Sequence, residues 1–458
     1  MSSVPLTAKL ANALLEPDRW ACDWDRYFES TTYFPKSSAS ETIQGKVTLR
    51  KVDPSDRDIE MFFKIMPDID KFESETHSEN RHIIEPFIYR YLSNLIYNDV
   101  TPNLMEYMGL IDCPNDIRTI LDRVPGMSDQ ILPDWISLQE DPTNTHTYEE
   151  GKIMLIEIGK GKTLKKMIAD PDEEISKREF LNILFQVFYT LHQMTLVHIR
   201  HNDIHCDNVW VNILDDPVTM YYKTSNGVYK IETRYLVKIF DFDLSAYVGI
   251  NHPPDPVVDD LTENWAISQY FCDKYGGCQF PDPLFDIALF GFDLFRLCLF
   301  KATTKRQAAK GDWRLPGYEA RWAITDEDDE SLSDGDTYRF YVDIVECIFT
   351  DHGIDELIKK DDHYSFPGRY CYTDDTNSAI SKKRKMLSCD NMPVDREFVR
   401  DFDDMLTQCD IFHPLRHKRR VSSRASHVYT SVDQLSIRDL SKLNKFDLTL
   451  KPNAMDKL

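Results

Sequence analysis

The octapeptide HNDIHCDN, residues 201–208, concentrates side chains that can do chemistry between two apolar stretches. Within it, His201, Asp203 and Asn208 have the spacing H-x-D-x-x-x-x-N. An aspartate can orient a hydroxyl nucleophile or accept its proton, and an asparagine five residues later on the same loop can bind a metal ion. The spacing therefore predicts a loop on which Asp203 is the catalytic carboxylate and Asn208 a metal ligand.

A second carboxylate stands at the end of a predicted strand. The apolar run LVKIF leads directly into Asp241-Phe-Asp243, and a hairpin with its turn at Asn226-Gly227 separates this strand from the loop. Such a position suits a carboxylate that binds Mg²⁺. We therefore expect Asp241 to be the second metal ligand.

A lysine inside an apolar strand forms the third element. Lys64 lies within EMFFKIMP, residues 60–67. Burial of an unpaired ammonium is costly, so a carboxylate partner is expected. Glu85 on the next helix is the natural partner and Glu79 is its rival.

These side chains need elements that position them. Residues 179–194 and 285–300 are apolar on nearly every side and predict two buried helices. Asp286 and Gly291, in DIALFG, lie on the second helix, and a carboxylate in so apolar a setting should accept backbone hydrogen bonds, with the loop as the expected donor. The second helix is thus predicted to support the loop from below.

The N-terminal part is rich in predicted strands. GKVTLRKV, EMFFKIMP and KIMLIEIG predict strands, and residues 85–96 predict a helix with Pro86 in its first turn. One apolar face of this helix is predicted from residues that recur at three and four positions: Ile84, Phe87, Ile88, Tyr91, Leu92 and Leu95. Helical patterns dominate the rest, so the predicted class is α+β.

With these motifs in this order, residues 30 to 300 resemble the eukaryotic-like protein kinase superfamily, and the general style is similar to divergent serine/threonine kinases of large DNA viruses. The resemblance implies a bilobal fold, with a small N-terminal β-sheet lobe carrying one helix, a larger and mainly α-helical C-terminal lobe, and ATP bound between them. The implied division is an N-terminal extension 1–29, an N-lobe 30–158 with an insertion at 113–150, a C-lobe 159–412 and a C-terminal tail 413–458.

The resemblance also implies a role for each catalytic residue. Lys64 would hold the α- and β-phosphates and Glu85 would orient it. Asp203 would accept or steer the proton of the substrate hydroxyl. Asn208 and Asp241 would hold Mg²⁺, the cofactor that accompanies ATP.

Further nucleotide contacts are implied at two places. Glu157 and Ile158, at the end of a strand, would offer backbone groups to adenine. The phosphate loop has no glycine before Gly45, so small residues such as Ser38 and Ser40 would approach the phosphates instead.

Three departures from the family pattern bear on the substrate. Asp243 takes the third position of D-F-G, and no A-P-E follows. His205 stands where kinases of Ser and Thr usually carry Lys. The main hypothesis is an ATP- and Mg²⁺-dependent serine/threonine protein kinase, and the alternatives are a small-molecule or lipid kinase of the same fold and a catalytically weak kinase-like binding module.

Charge and composition restrict the partners. The 458 residues carry a net charge of −23, which argues against nucleic acid or an anionic membrane as partner and permits a cationic partner, so the expected protein substrate is possibly basic. No signal-peptide pattern and no apolar run long enough to span a membrane occur, so an intracellular protein is predicted, cytoplasmic or nuclear, in a host cell or virion if viral.

Cysteines and the basic stretch complete the expectations. The ten cysteines are scattered without C-x-x-C spacing, so reduced thiols are expected. The basic run RHKRR, residues 416–420, is expected to be solvated and mobile.

Overall fold

The computed structural model describes residues 28–33, 43–50, 60–67, 81–113, 151–170, 174–242, 245–247, 284–298, 323–325, 334–351, 353, 399–422, 425–436 and 439. Two compact units divide the chain: the first comprises Met1–Asn94, Met105–Gly159 and Lys442–Leu458, and the second Leu95–Leu104 and Lys160–Ser441. Antiparallel sheets and helices occur together, which confirms the α+β class at this coarse level.

A five-stranded antiparallel sheet forms the frame of the first unit. Its strands are β1 (Phe28–Tyr33), β2 (Ile43–Leu49), β3 (Glu60–Pro67), β4 (Tyr107–Cys113) and β5 (Gly151–Glu157), in the order β1-β2-β3-β5-β4. Met61, Phe63 and Ile65 alternate along one face of β3 and are almost completely buried. Lys64 therefore points to the opposite face, where it pairs in register with Met154 of β5.

Helix α1 (Arg81–Tyr97) begins four residues before the predicted start. Pro86 is consequently its sixth residue, so its placement in the first turn was wrong. Proline lacks the N–H that would bond one turn back, and the helix loses one backbone hydrogen bond there. Four residues of the predicted apolar face are buried: Ile88, Tyr91, Leu92 and Leu95.

The long helix predicted over 179–194 is α3 (Lys177–Leu196), which forms the centre of the second unit. Ser176 caps it, because its Oγ accepts the Glu179 N–H at 3.1 Å. A polar stripe crosses its otherwise apolar surface, and all four members are fully buried: Asn182, Gln186, Thr190 and Gln193. Their spacing of four, four and three residues places them on one side of the helix.

This stripe bonds to elements distant in sequence. Gln186 Oε1 accepts from Asn103 Nδ2 at 2.8 Å and from the Val237 N–H at 3.0 Å. Gln193 Oε1 accepts the Val432 N–H at 2.8 Å. The helix therefore fixes three segments of the unit through hydrogen bonds as well as apolar packing.

A long hairpin packs on α3. Its strands are β9 (Val209–Thr224) and β10 (Gly227–Ile239), paired from Gly227 opposite Thr224 to Ile239 opposite Val209. Because Thr224 pairs with Gly227, the two turn residues are Ser225 and Asn226, and the predicted Asn226-Gly227 turn was wrong by one residue. Gly227 directly follows the turn with a φ of 130°, which only glycine adopts without strain. The structure joins the separately predicted strand and hairpin into one ladder.

The short elements around the hairpin are β6 (Gly161–Thr163), α2 (Leu164–Ala169), β7 (Glu174–Ser176), β8 (Ile199–Arg200), β11 (Ala246–Tyr247), β12 (Ala323–Thr325) and α6 (Phe402–Gln408). Strand β6 pairs with β9 so closely that a Cβ on Gly161 would lie 1.9 Å from the Val211 carbonyl oxygen.

The basic run 416–420 was expected to be solvated and mobile; Arg416 and Lys418 to Arg420 are exposed, but the expected mobility was wrong for the backbone of Arg416 and His417. Arg416 forms a bridge with Tyr229 of β10, and the His417 N–H donates to the Val228 carbonyl at 2.7 Å. Further on, β13 (Val428–Thr430) pairs in parallel with β9. Backbone pairing with the hairpin therefore fixes Arg416, His417 and β13, although the first of these residues lie in a charged run.

Helices α4 (Phe285–Cys298) and α5 (Asp334–Ile348) pack closely, since a Cβ on Gly291 would lie 2.6 Å from Ile348 Cγ2.

Cys347 and Cys409 form a disulfide, so the expectation of reduced cysteines was wrong for this pair, whereas the buried Cys206 is a free thiol. Within the described residues no helix is both long and apolar enough to cross a membrane.

Candidate active site

The lysine predicted inside a strand is paired with a carboxylate. Lys64 Nζ lies 2.7 Å from Glu85 Oε2, and the two side chains are 4% and 2% exposed. The predicted pairing with Glu85 is confirmed, while Glu79 lies outside the described residues. A lone charge in this position would be strongly destabilising, so each group requires the other.

The two residues predicted to contact adenine, Glu157 and Ile158, lie at the end of β5. The Glu157 N–H donates to the Glu106 carbonyl at 2.9 Å, and Glu157 Oε2 accepts the Glu106 N–H at 3.3 Å. Because the Glu157 N–H is used within the first unit, an N–H donor for a purine would come from Ile158. Ser38 and Ser40 lie outside the described residues.

In the second unit, a buried carboxylate holds the start of the loop 201–208. Asp286 Oδ2 accepts the His201 N–H at 2.6 Å, and its Oδ1 accepts the Asn202 N–H at 2.9 Å. The prediction that Asp286 accepts backbone hydrogen bonds from this loop is confirmed. Asn202 has a φ of 64°, a left-handed conformation that this pair of bonds stabilises.

His201 is bonded on both ring nitrogens. Its Nε2 lies 2.9 Å from the Phe240 carbonyl oxygen, and its Nδ1 accepts the Asp203 N–H at 3.3 Å. A neutral ring protonated on Nε2 satisfies both contacts. Burial lowers the pKa of His201 below its usual value, although the Asp286 carboxylate acts in the opposite direction. His201 is therefore suited to hold Asp203 in place rather than to exchange protons.

Asp203 and Asn208 are linked by a hydrogen bond across the loop. Asn208 Nδ2 donates to the Asp203 carbonyl oxygen at 2.9 Å. This bond orients the amide, whose Oδ1 is the atom able to ligate a metal ion. The Asp203 side chain keeps about a quarter of its surface exposed, which leaves it accessible to a substrate.

The hairpin brings Asp241 to the same end as Asn208. Strand β9 begins directly after Asn208, β10 ends two residues before Asp241, and their terminal residues are paired. The Phe240 N–H donates to the Asn208 carbonyl at 3.2 Å. Asp241 has a φ of 67°, a left-handed conformation uncommon for a residue other than glycine and typical of functional sites.

His205 lies beside the candidate catalytic carboxylate. Its Nε2 is 3.6 Å from Asp203 Oδ2, while its Nδ1 accepts the Asp207 N–H at 3.2 Å. Burial disfavours a charged ring, but the hydrogen bond and charge of Asp203, with the charges of Asp293 and Asp207, outweigh it and raise the pKa of His205. The Asp207 N–H opposes this charge, because a protonated Nδ1 cannot accept it.

Sequence reasoning missed two carboxylates of this region. Asp293 Oδ2 accepts the Cys206 N–H at 2.8 Å, and Asp207 forms an ion pair with Lys165 of α2. Asp293 follows Asp286 by seven residues, and this spacing places both on one face of a helix. That periodicity was present in the sequence and could have identified Asp293.

Comparisons with known proteins give little support beyond this geometry. No model of a protein family matches the chain, and no curated protein matches it. Among solved structures, one similar chain is a crystal structure of a kinase domain, with 12% sequence identity and a TM-score of 0.27. The match covers 50% of this chain and 54% of that kinase domain, and a TM-score this low does not establish a common fold.

Proposed function

We propose that this protein is an ATP- and Mg²⁺-dependent phosphotransferase, specifically a serine/threonine protein kinase that transfers the γ-phosphate of ATP to a protein hydroxyl. One observation carries the proposal: a single loop holds Asp203 and Asn208 at the end of the hairpin from which Asp241 emerges. Phosphoryl transfer depends mainly on positioning and on neutralising charge, and this arrangement supplies groups for both.

Asp203 would act on the acceptor. Its carboxylate is partly exposed, and its backbone is fixed at two points, since His201 accepts the Asp203 N–H and Asn208 donates to the Asp203 carbonyl oxygen. A carboxylate held in this way can orient the attacking hydroxyl and accept its proton as the phosphate is transferred. The bond between the γ-phosphoryl group and the ADP oxygen breaks, ADP leaves, and the phosphoryl group becomes bonded to the hydroxyl oxygen.

Asn208 and Asp241 would hold the metal ion. An amide oxygen and a carboxylate are hard oxygen donors, which fit Mg²⁺. The described residues contain no group of three or more His, Cys, Asp or Glu side chains suited to a metal. Mg²⁺ commonly binds one or two protein groups and completes its shell with phosphate oxygens and water, so two ligands suffice. When bound, Mg²⁺ neutralises the phosphate charge.

Lys64 would bind the nucleotide phosphates. Its ammonium is held by Glu85 on the face of the five-stranded sheet opposite Met61, Phe63 and Ile65, and a buried cation of fixed position suits a polyanionic ligand. Glu157, Ile158, Ser38 and Ser40 remain predicted nucleotide contacts.

A second candidate differs in the acceptor. His205 lies 3.6 Å from the Asp203 carboxylate, and histidine at this point is familiar in kinases of small molecules, so a small-molecule or lipid hydroxyl is the alternative substrate. Comparison of a basic protein with a panel of small alcohols and lipids as acceptors would separate the two candidates.

Transfer from labelled ATP to a basic test protein tests the main proposal. Asp203→Asn should lower the transfer rate by about 10²–10⁴-fold, because the carboxylate can no longer accept the proton. Asp215→Asn, an exposed carboxylate on β9, is the matched control and should transfer at the parent rate. Equal rates for Asp203→Asn and the parent would overturn the assigned role.

Nucleotide binding tests the remaining alternative, a binding module without activity. A thermal-shift titration with ATP and Mg²⁺ should stabilise the parent, and Asp241→Asn should weaken the Mg²⁺-dependent part of the shift. Absence of any shift in the parent would exclude both enzymatic candidates.

A further inference from the structure

A second buried carboxylate of α4 contacts the loop 201–208. Asp293 is 7% exposed, and its Oδ2 accepts the Cys206 N–H at 2.8 Å. Asp286, seven residues earlier on the same helix, accepts the two N–H groups at the start of the loop. Seven residues correspond to almost two full turns, so the two carboxylates lie on one face about 10 Å apart along the helix axis.

The Cys206 N–H needs an acceptor from outside its own element. Cys206 is the first residue of the 3₁₀ turn Cys206–Asn208, and the first N–H groups of a helical turn have no partner within it. The residue is fully buried, so water cannot replace the missing acceptor. A buried N–H without an acceptor is destabilising, and Asp293 removes this cost.

We propose that Asp293 is a positioning residue for phosphoryl transfer. It holds the second half of the loop 201–208 at Cys206, as Asp286 holds the start of the loop at His201 and Asn202. This inference rests on the proposed function. The two carboxylates accept hydrogen bonds from the N–H groups of His201, Asn202 and Cys206. Asp203 lies between Asn202 and Cys206 in the chain. The turn held by Asp293 also contains Asn208, whose side chain bonds to the Asp203 carbonyl. A shift of Cys206 would therefore displace the candidate catalytic carboxylate and the candidate metal ligand together.

The chain allows a test in which donor and acceptor are removed separately and together. Proline has no N–H, and it fits the first position of a helical turn when the preceding residue is extended. His205 has φ −147° and ψ 170°, which meets this condition, so Cys206→Pro removes the donor with little backbone strain. Asp293→Leu removes the acceptor, and Asp293→Asn keeps an acceptor oxygen without the charge.

The expected results form a cycle. Asp293→Leu should lower kcat for transfer by about 10²-fold with little change in KM for ATP, because the loop is misplaced rather than the nucleotide lost. Asp293→Asn should retain most of the rate. The double variant Cys206→Pro/Asp293→Leu should recover most of what Asp293→Leu loses, since position 206 then has no N–H that lacks an acceptor. Failure of this rescue would overturn the inference.

Amide hydrogen exchange at Cys206 separates this inference from the proposed function. In the parent the amide should exchange slowly, and in Asp293→Leu clearly faster. Unchanged exchange in Asp293→Leu would overturn the role of Asp293 whether or not the chain transfers phosphate. A parent that transfers no phosphate, but shows the exchange difference, would overturn the catalytic role and leave only the anchoring of the loop.

Discussion

The Lys64–Glu85 pair and the loop 201–208 bury charged groups in two different ways. In the first, two opposite charges neutralise each other at 2.7 Å. In the second, the carboxylates of Asp286 and Asp293 are compensated by backbone N–H groups. Both the Lys64–Glu85 pair and the Asp286 acceptor can be anticipated from the cost of a buried charge, but the individual N–H groups that each carboxylate accepts are known only when the backbone is placed beside it.

The first prediction concerns the charge pair and should give the largest effect. Lys64→Met or Glu85→Gln alone should lower the free energy of unfolding by about 3–5 kcal/mol, because one buried group loses its partner. The double variant Lys64→Met/Glu85→Leu should recover most of this stability but no transfer activity. Denaturant unfolding and labelled-ATP transfer measure the two outcomes.

The ion pair Lys46–Glu60 supplies the matched control, since it joins two neighbouring strands of the same sheet at a partly exposed position. Lys46→Met should cost less than about 1 kcal/mol. Similar losses for Lys46→Met and Lys64→Met would show that burial does not distinguish the two pairs.

The second prediction concerns the front anchor of the loop. Asp286→Leu leaves the His201 and Asn202 N–H groups without their acceptor and should lower the free energy of unfolding by about 2–4 kcal/mol. Asp286→Asn keeps an acceptor oxygen and should lose less. Asp343→Asn, an exposed carboxylate on α5, should stay within about 0.5 kcal/mol of the parent. A neutral effect of Asp286→Leu would remove the contrast between the two regions.

The third prediction uses acid. Burial lowers the pKa values of His201 and His192, with nearby carboxylates acting against it. Above the ordinary value of 6.5 both rings are neutral in the folded and unfolded states, so stability is complete there. Below pH 6.5 the two histidines bind protons in the unfolded chain more readily than in the folded chain. The free energy of unfolding therefore falls by at most about 1.4 kcal/mol per pH unit for each histidine.

Melting curves between pH 7 and pH 5 would measure this loss. His192→Phe should preserve packing against Phe402, whose ring lies 5.4 Å away, and reduce the acid sensitivity. The part that remains combines the loss from His201 with an opposite contribution from His205, where the effect of burial is outweighed and Asp203 raises the pKa. An acid response in His192→Phe as steep as that of the parent would contradict the contribution of His192.

The fourth prediction concerns Gly227, which lies at the end of the hairpin remote from the loop 201–208. Gly227→Ala forces alanine to a φ of 130° and should cost about 1 kcal/mol. A new Cβ would be 3.6 Å from Arg416 Nε, an ordinary contact, so the cost is conformational. Transfer activity should be unchanged, and a clear drop in activity would show that the turn is coupled to the candidate site.

Elements with a strong local pattern were predicted well. The apolar run of α3 was identified and the hairpin turn was predicted to within one residue, because periodicity and turn preference are local properties. The start of α1 was misjudged, since Pro86 suggests a first turn from sequence although the chain continues the helix back to Arg81. The pairing of Arg416 and His417 with β10 was missed because a run of charged side chains gives no sign of backbone pairing.

The sequence by itself determined the candidate chemistry: the spacing of His201, Asp203 and Asn208, the strand that ends before Asp241, and the need of Lys64 for a carboxylate. These follow from residue type, short spacing and the cost of burying charge. The tertiary structure decided which distant groups hold them, including Asp293 on Cys206 and the polar stripe of α3 on Asn103 and Val237. Such bonds join polar groups that are 50 to 90 residues apart in the chain, and only the folded chain brings these groups within hydrogen-bond distance.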